Sequence, residues 1–254
     1  KIMKSRTAPP DYRWLTIGEA HLADGDAERA AQAFANIDPN AKVAARAQLQ
    51  LAKANQQRGA TKQALEIYED LARRPDPSEG NAIALWALAT KKGLSNPAAE
   101  PILRRIWMQY PFANEGRKAA TELASYHGAP SADERGKRAI RLMELGAWKS
   151  VNDTLSTRLS AYPLDTTLGC QVRYAHGRSL FKRNQVTKAA EILVPVGKSC
   201  ADLDPVNGPK ALYVAGKSLE RKKEWAQAAS AYALIPDLYP AHSMADDGYA
   251  LGGI

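Results

Sequence analysis

Residues 14–34 read WLTIGEAHLADGDAERAAQAF, with the small Gly18 after Ile17, then Gly25, the small Ala30 and, four residues on, the large Phe34. Shifted by 34 positions, the same order returns as Gly59, Ala64 and Tyr68, and shifted again as Gly93, Ala98 and Ile102. Upstream, Ile17, Leu51 and Leu85 share one register and are followed by Gly18, Ala52 and Trp86. Small residues at fixed places let two antiparallel helix backbones approach, and a large residue beside each contact fills the groove. A glycine between them supplies the left-handed conformation that ends the first helix.

This register resembles the tetratricopeptide repeat, W-x2-L-G-x2-Y then A-x3-F then P on a period of 34. Trp14, Ile17, Gly18, Ala30 and Phe34 occupy its positions, and Pro39 closes the first unit early. The reading is an all-α, right-handed superhelical solenoid of antiparallel helix pairs. A basic, flexible segment spans residues 1–10, three 34-residue repeats span 11–112, and longer pairs continue over 113–254. In these later pairs Ala189, Ala228 and Tyr232 take the small and large positions, turns fall near Gly146, Asn184 and Lys223, and the spacing is nearer 38 or 39. Period-two alternation is missing, which leaves little room for a sheet. Residues 242–247 look like the capped start of a last helix that runs to Ile254 without a partner, so a continuing polypeptide or a partner is expected there.

The chain has 35 Lys and Arg against 27 Asp and Glu, a net charge of +8, which favours an anionic partner or surface. The basic residues are spread through most helices rather than gathered in a stripe, so nucleic acid is not expected as a partner. No stretch approaches the roughly 20 apolar residues of a membrane span, so a soluble protein is expected.

Cys170 and Cys200 fall at the start of one expected helix and the end of its antiparallel neighbour, where a bridge is sterically feasible. A disulfide would place the protein in an oxidising compartment such as a bacterial periplasm; the alternative is two buried thiols in a cytosolic protein. The four histidines lack ligand spacing, and no nucleophile elbow, zinc-protease, phosphate-loop or dinucleotide motif occurs. Neither a cofactor nor a metal is expected, and no catalytic residue is assigned.

A narrower resemblance lies in the second half. The stretches Arg173 to Lys182 with Ala189 and Ala190, Tyr213 to Lys217 with Glu224, Trp225, Ala228 and Ala229, and Tyr239, Pro240, His242, Ser243 and Ala245 to Asp247 are similar to the superhelical region of soluble lytic murein transglycosylases. These are periplasmic enzymes in which a helical solenoid precedes a lysozyme-like domain. That domain carries a Glu followed by Ser and a G-L-M-Q segment, neither of which occurs here. The resemblance implies a scaffold without the chemistry, contacting peptidoglycan or a protein. The other reading is a stand-alone adaptor for envelope assembly that holds a peptide in its concave groove.

Overall fold

The computed structural model describes residues 10–74 and 78–253; the basic segment expected at the N-terminus lies outside them up to residue 9. Among the described residues every regular element is helical. The chain forms two compact units, Lys1–Ala129 and Pro130–Ile254. Residue 112, where the 34-residue period ends, falls inside the first.

The first unit contains α1 (Pro10–Ala23), α2 (Ala27–Ala35), α3 (Ala44–Gln57), α4 (Thr61–Arg73), α5 (Glu79–Lys92), α6 (Glu100–Gln109) and α7 (Asn114–Glu122). Each helix packs on the next. The second contains α8 (Ala132–Glu144), α9 (Trp148–Leu155), α10 (Thr167–Lys182), α11 (Val186–Ser199), α12 (Gly208–Arg221), α13 (Trp225–Leu238) and α14 (Ala245–Gly252). Here too neighbours pack in order, and α10 also touches α8 and α12. Each unit is therefore an all-α solenoid of tetratricopeptide-like helix pairs.

One contact recurs through both units. A Cβ on Gly18 would lie 2.4 Å from the Phe34 ring, one on Gly177 2.5 Å from Leu193, and one on Gly216 2.4 Å from Tyr232. Ala52 and Tyr68 share a core cluster at the same separation, sixteen residues along the chain. In these pairs the first helix carries only a hydrogen or a methyl group at the contact, so that the large residue of the second can lie against its backbone. Turns obey an equally strict spacing. Gly25, Gly59, Asn184 and Lys223 all have positive φ and stand five residues before the buried Ala30, Ala64, Ala189 and Ala228. The turn is thus set by the backbone: Asn184 and Lys223 adopt the conformation, φ 60° and 62°, that glycine supplies more cheaply.

Two expected packing residues are corrected. Ala98 is exposed, and Ala99 is fully buried in its place, with Leu103 rather than Ile102 as the large partner four residues on. The cause is a 3₁₀ turn over Pro97–Ala99, capped by Asn96, which inserts one residue before α6. Trp14, expected as interhelix packing, is 38% exposed and Ile17 lies beside it on the same open side. No helix precedes α1 among the described residues, whereas the equivalents of Ile17 in the following pairs, Leu51 and Leu85, are half-buried and buried.

Cys170 and Cys200 form a disulfide with Cα atoms 5.9 Å apart, joining the start of α10 to the residue after α11. Pro195 and Pro236 stand inside α11 and α13. The second gives α14 its seat, because Gly248 packs against the Pro236 ring and the carbonyl of Tyr232.

Replacing Ala64 with Leu overpacks the α3–α4 contact and is expected to cost about 1–3 kcal/mol, read as a lower urea midpoint. Reducing the disulfide, which closes 30 residues, is expected to remove about 3–4 kcal/mol by the loop-entropy relation; the urea midpoint with and without reductant measures it.

Candidate functional site

The second unit contains a sequence repeat at 39 residues that the 34-residue register hides. Tyr174, Gly177, Arg178, Leu180 and Lys182 on α10 recur as Tyr213, Gly216, Lys217, Leu219 and Arg221 on α12. The spacing Tyr-x3-cation-x3-cation keeps all three on one helix face. Because α10 and α12 pack side by side, the two faces line a shared groove.

Two adjoining cavities open along it. One of about 270 Å³ is lined by Arg178, Phe181, Lys210, Tyr213, Val214 and Met244. The other, of about 510 Å³, reaches the α8–α9 turn through Glu144, Trp148, Tyr174 and Asn207, and shares Arg178 and Lys210. The cations lie over rings rather than against carboxylates. The Arg178 guanidinium is 5.9 Å from the Trp148 centroid and 6.0 Å from that of Tyr174, and its Nη1 donates to the Tyr174 hydroxyl at 2.7 Å. Lys182 is 5.9 Å from Trp148, and Arg221 is 4.3 Å from Phe181. Lys217 lies over Tyr213 and Tyr232, both at 5.7 Å, but also pairs with Glu220 at 3.0 Å. Tyr232 donates to the same Glu220 at 3.0 Å, and burial holds its hydroxyl well above the usual tyrosine range.

A wider cleft of about 610 Å³ opens between α11 and α13, lined by Ala190, Val194, Pro195, Leu219 and Leu234. Its charges, Glu191 and Glu224 beside Lys198 and Lys222, are of mixed sign, and Lys222 pairs with Glu224 at 2.6 Å. That balance distinguishes it from the cationic groove.

Of the residues singled out from sequence, Tyr232 stands beneath the groove, its ring 5.9 Å from Tyr213. The disulfide anchors α10 one turn before Tyr174. Ala189 and Ala228 are buried in the hairpins behind. Trp14, Gly18, Ala30, Phe34, Ala64, Tyr68 and Ala98 belong to the first unit. Arg178 and Lys182 lie within the stretches singled out by resemblance, but Lys210, Arg221 and the role of these cations as a groove escaped the sequence reading; laying the α10 stretch on the α12 stretch at 39 brings out the shared register. Among the described residues no cluster of His, Cys, Asp and Glu is placed to hold a metal, and no helix is long and apolar enough to cross a membrane.

The tetratricopeptide repeat family matches residues 46–77 and 210–242. The first stretch covers the α3–α4 hairpin and the second the α12–α13 hairpin, one in each unit. No curated protein matches the chain. Together with the fold, these repeats suggest a protein-interaction scaffold, a class that works through protein or peptide partners and is typically non-catalytic.

Behind the groove, His176 on α10 is 4% exposed and its Nε2 lies 3.2 Å from Asn152 Oδ1. Burial, helped by the charge of Arg173, lowers its pKa from 6.5 to about 4. The unfolded chain therefore binds a proton that the folded chain refuses between pH 6.5 and 4. This contribution is complete above pH 6.5 and is lost as pH falls toward 4, by up to about 1.4 kcal/mol per pH unit. Urea midpoints at several pH values should fall less steeply in this window for His176→Gln than for the unaltered chain.

Proposed function

We propose that this chain is the non-catalytic helical scaffold of a peptidoglycan lytic transglycosylase in the bacterial periplasm, holding a partner in the α10–α12 groove and positioning a catalytic domain outside this chain. The observation that carries the reading is where the resembling residues fall. Arg173 to Lys182 and Tyr213 to Lys217 form the two groove helices, and Tyr239 to Asp247 form the junction at which α14 meets α13. The buried disulfide supports an oxidising compartment, because cytosolic reductants keep thiols reduced.

A second reading, a stand-alone adaptor for envelope assembly, is favoured by the family match itself, which falls on one hairpin of each unit and requires no catalytic domain.

Both readings are tested by exporting the chain to a bacterial periplasm with a photoreactive amino acid at Lys182, and with a control at Lys188 on α11. Adducts with a cell-wall transglycosylase domain are expected from position 182, and adducts with assembly proteins alone would favour the adaptor. Equal labelling from both positions would remove the groove from either reading. The purified chain should release no anhydromuropeptides from peptidoglycan by mass spectrometry.

A further inference from the structure

We propose that the α10–α12 groove binds an extended acidic peptide, with Arg178, Lys182, Lys210 and Arg221 receiving its carboxylates and the cavity between Phe181, Tyr213, Val214 and Met244 receiving an apolar side chain beside them. This rests on the interaction-scaffold reading and names the class of partner.

Charge carries the first step. Among the described residues none of these four cations forms an ion pair with a carboxylate. The acids at the groove are already engaged: Glu144 with Arg141 at 2.9 Å and Glu220 with Lys217 at 3.0 Å. A groove of one uncompensated sign attracts the opposite sign, and low-dielectric ring walls strengthen that field. The α11–α13 cleft on the same unit, with mixed charges, lacks this property.

The rings supply the second step. Trp148 and Tyr174 hold Arg178, Trp148 also holds Lys182, and Phe181 holds Arg221, so the cationic heads are placed before any ligand arrives. Less side-chain freedom is then lost on binding. The same contacts occupy ring faces on which a sugar or a nucleic-acid base would have to stack. Carboxylates need no ring face; they need the outer edge of a guanidinium or ammonium group, which remains open to the groove.

Periodicity supplies the third. The Tyr-cation-cation set occurs once on α10 and once on α12, in the same register. A ligand lying across the groove meets cations without a carboxylate partner from both copies, Arg178 and Lys182 on α10 and Arg221 on α12, which suits a chain with recurring charge better than one small anion. Packed helices lie about 8–10 Å apart, a distance an extended peptide covers in about three residues. Acidic residues recurring at that interval, with an apolar residue between them for the 270 Å³ cavity, fit the arrangement.

The test is fluorescence anisotropy of the full chain with a fluorescein-labelled (Glu-Glu-Leu)₃ peptide, against the (Gln-Gln-Leu)₃ peptide, a single-stranded oligonucleotide and a chitooligosaccharide. The Glu peptide is expected to bind at least about tenfold tighter than the Gln peptide, and Arg178→Gln with Arg221→Gln to weaken it by about tenfold or more. Lys188→Gln, a cation of α11 outside the groove, should leave it unchanged. Should the double variant lose helicity by circular dichroism, the unaltered chain decides: its affinity must fall between about 50 and about 300 mM salt. Equal binding of Glu and Gln peptides, or affinity indifferent to salt, overturns the acidic specificity while leaving a peptide-binding scaffold. Binding of neither peptide, with or without capture of the oligonucleotide or the sugar, overturns both for this groove.

Discussion

A backbone stripped to a hydrogen or a methyl group on one helix, with a large side chain sixteen residues later lying against it, is the contact on which everything else here rests. Gly18 with Phe34, Ala52 with Tyr68, Gly177 with Leu193 and Gly216 with Tyr232 are four cases of it. The close approach fixes the separation of the two helices and, because both positions are tied to the left-handed turn residue, also their register along the axis. Every outward-facing residue then has a defined place on the hairpin surface. Tyr174, Arg178 and Lys182 can form an ordered stripe because Gly177, on another side of the same helix, holds α10 against α11.

What could be read from the residues alone follows from the same contact. Gly25 with Ala30 and Phe34 is a local pattern, and a pattern confined to one hairpin survives without knowledge of the rest of the fold. The order of hairpins was legible for that reason, as was the pairing of Cys170 with Cys200 across one of them. Ala98 was misplaced because nothing in a fixed period announces an inserted residue; the short turn at Pro97 shifts the buried position to Ala99. Trp14 was misplaced because burial depends on a neighbouring helix, and periodicity describes only the helix itself.

The groove was harder to see, for a different reason. Arg178, Lys182, Lys210 and Arg221 are unremarkable in a chain with 35 basic residues. Their meaning depends on which of them have an acidic partner, and that is decided by side-chain pairs such as Lys217 with Glu220, which composition alone does not show. Lys217 and Arg178 hold equivalent places in the 39-residue repeat, yet one is neutralised by Glu220 and the other rests on Trp148. Position 181 explains the divergence in part, since Phe181 on α10 corresponds to Glu220 on α12.

The disulfide has a mechanical side. It closes the hairpin of α10 and α11 at the end opposite the Asn184 turn, so the stretch joining the two cysteines, 30 positions apart in sequence, forms a covalent loop. Thirty residues drawn straight span about 100 Å, and that length is withheld from a chain pulled at its two ends while the bond is intact. Tension would pass through the cross-link and bypass α10 and α11, so the helix bearing Tyr174, Arg178 and Lys182 would be the part of the second unit least able to pay out under load.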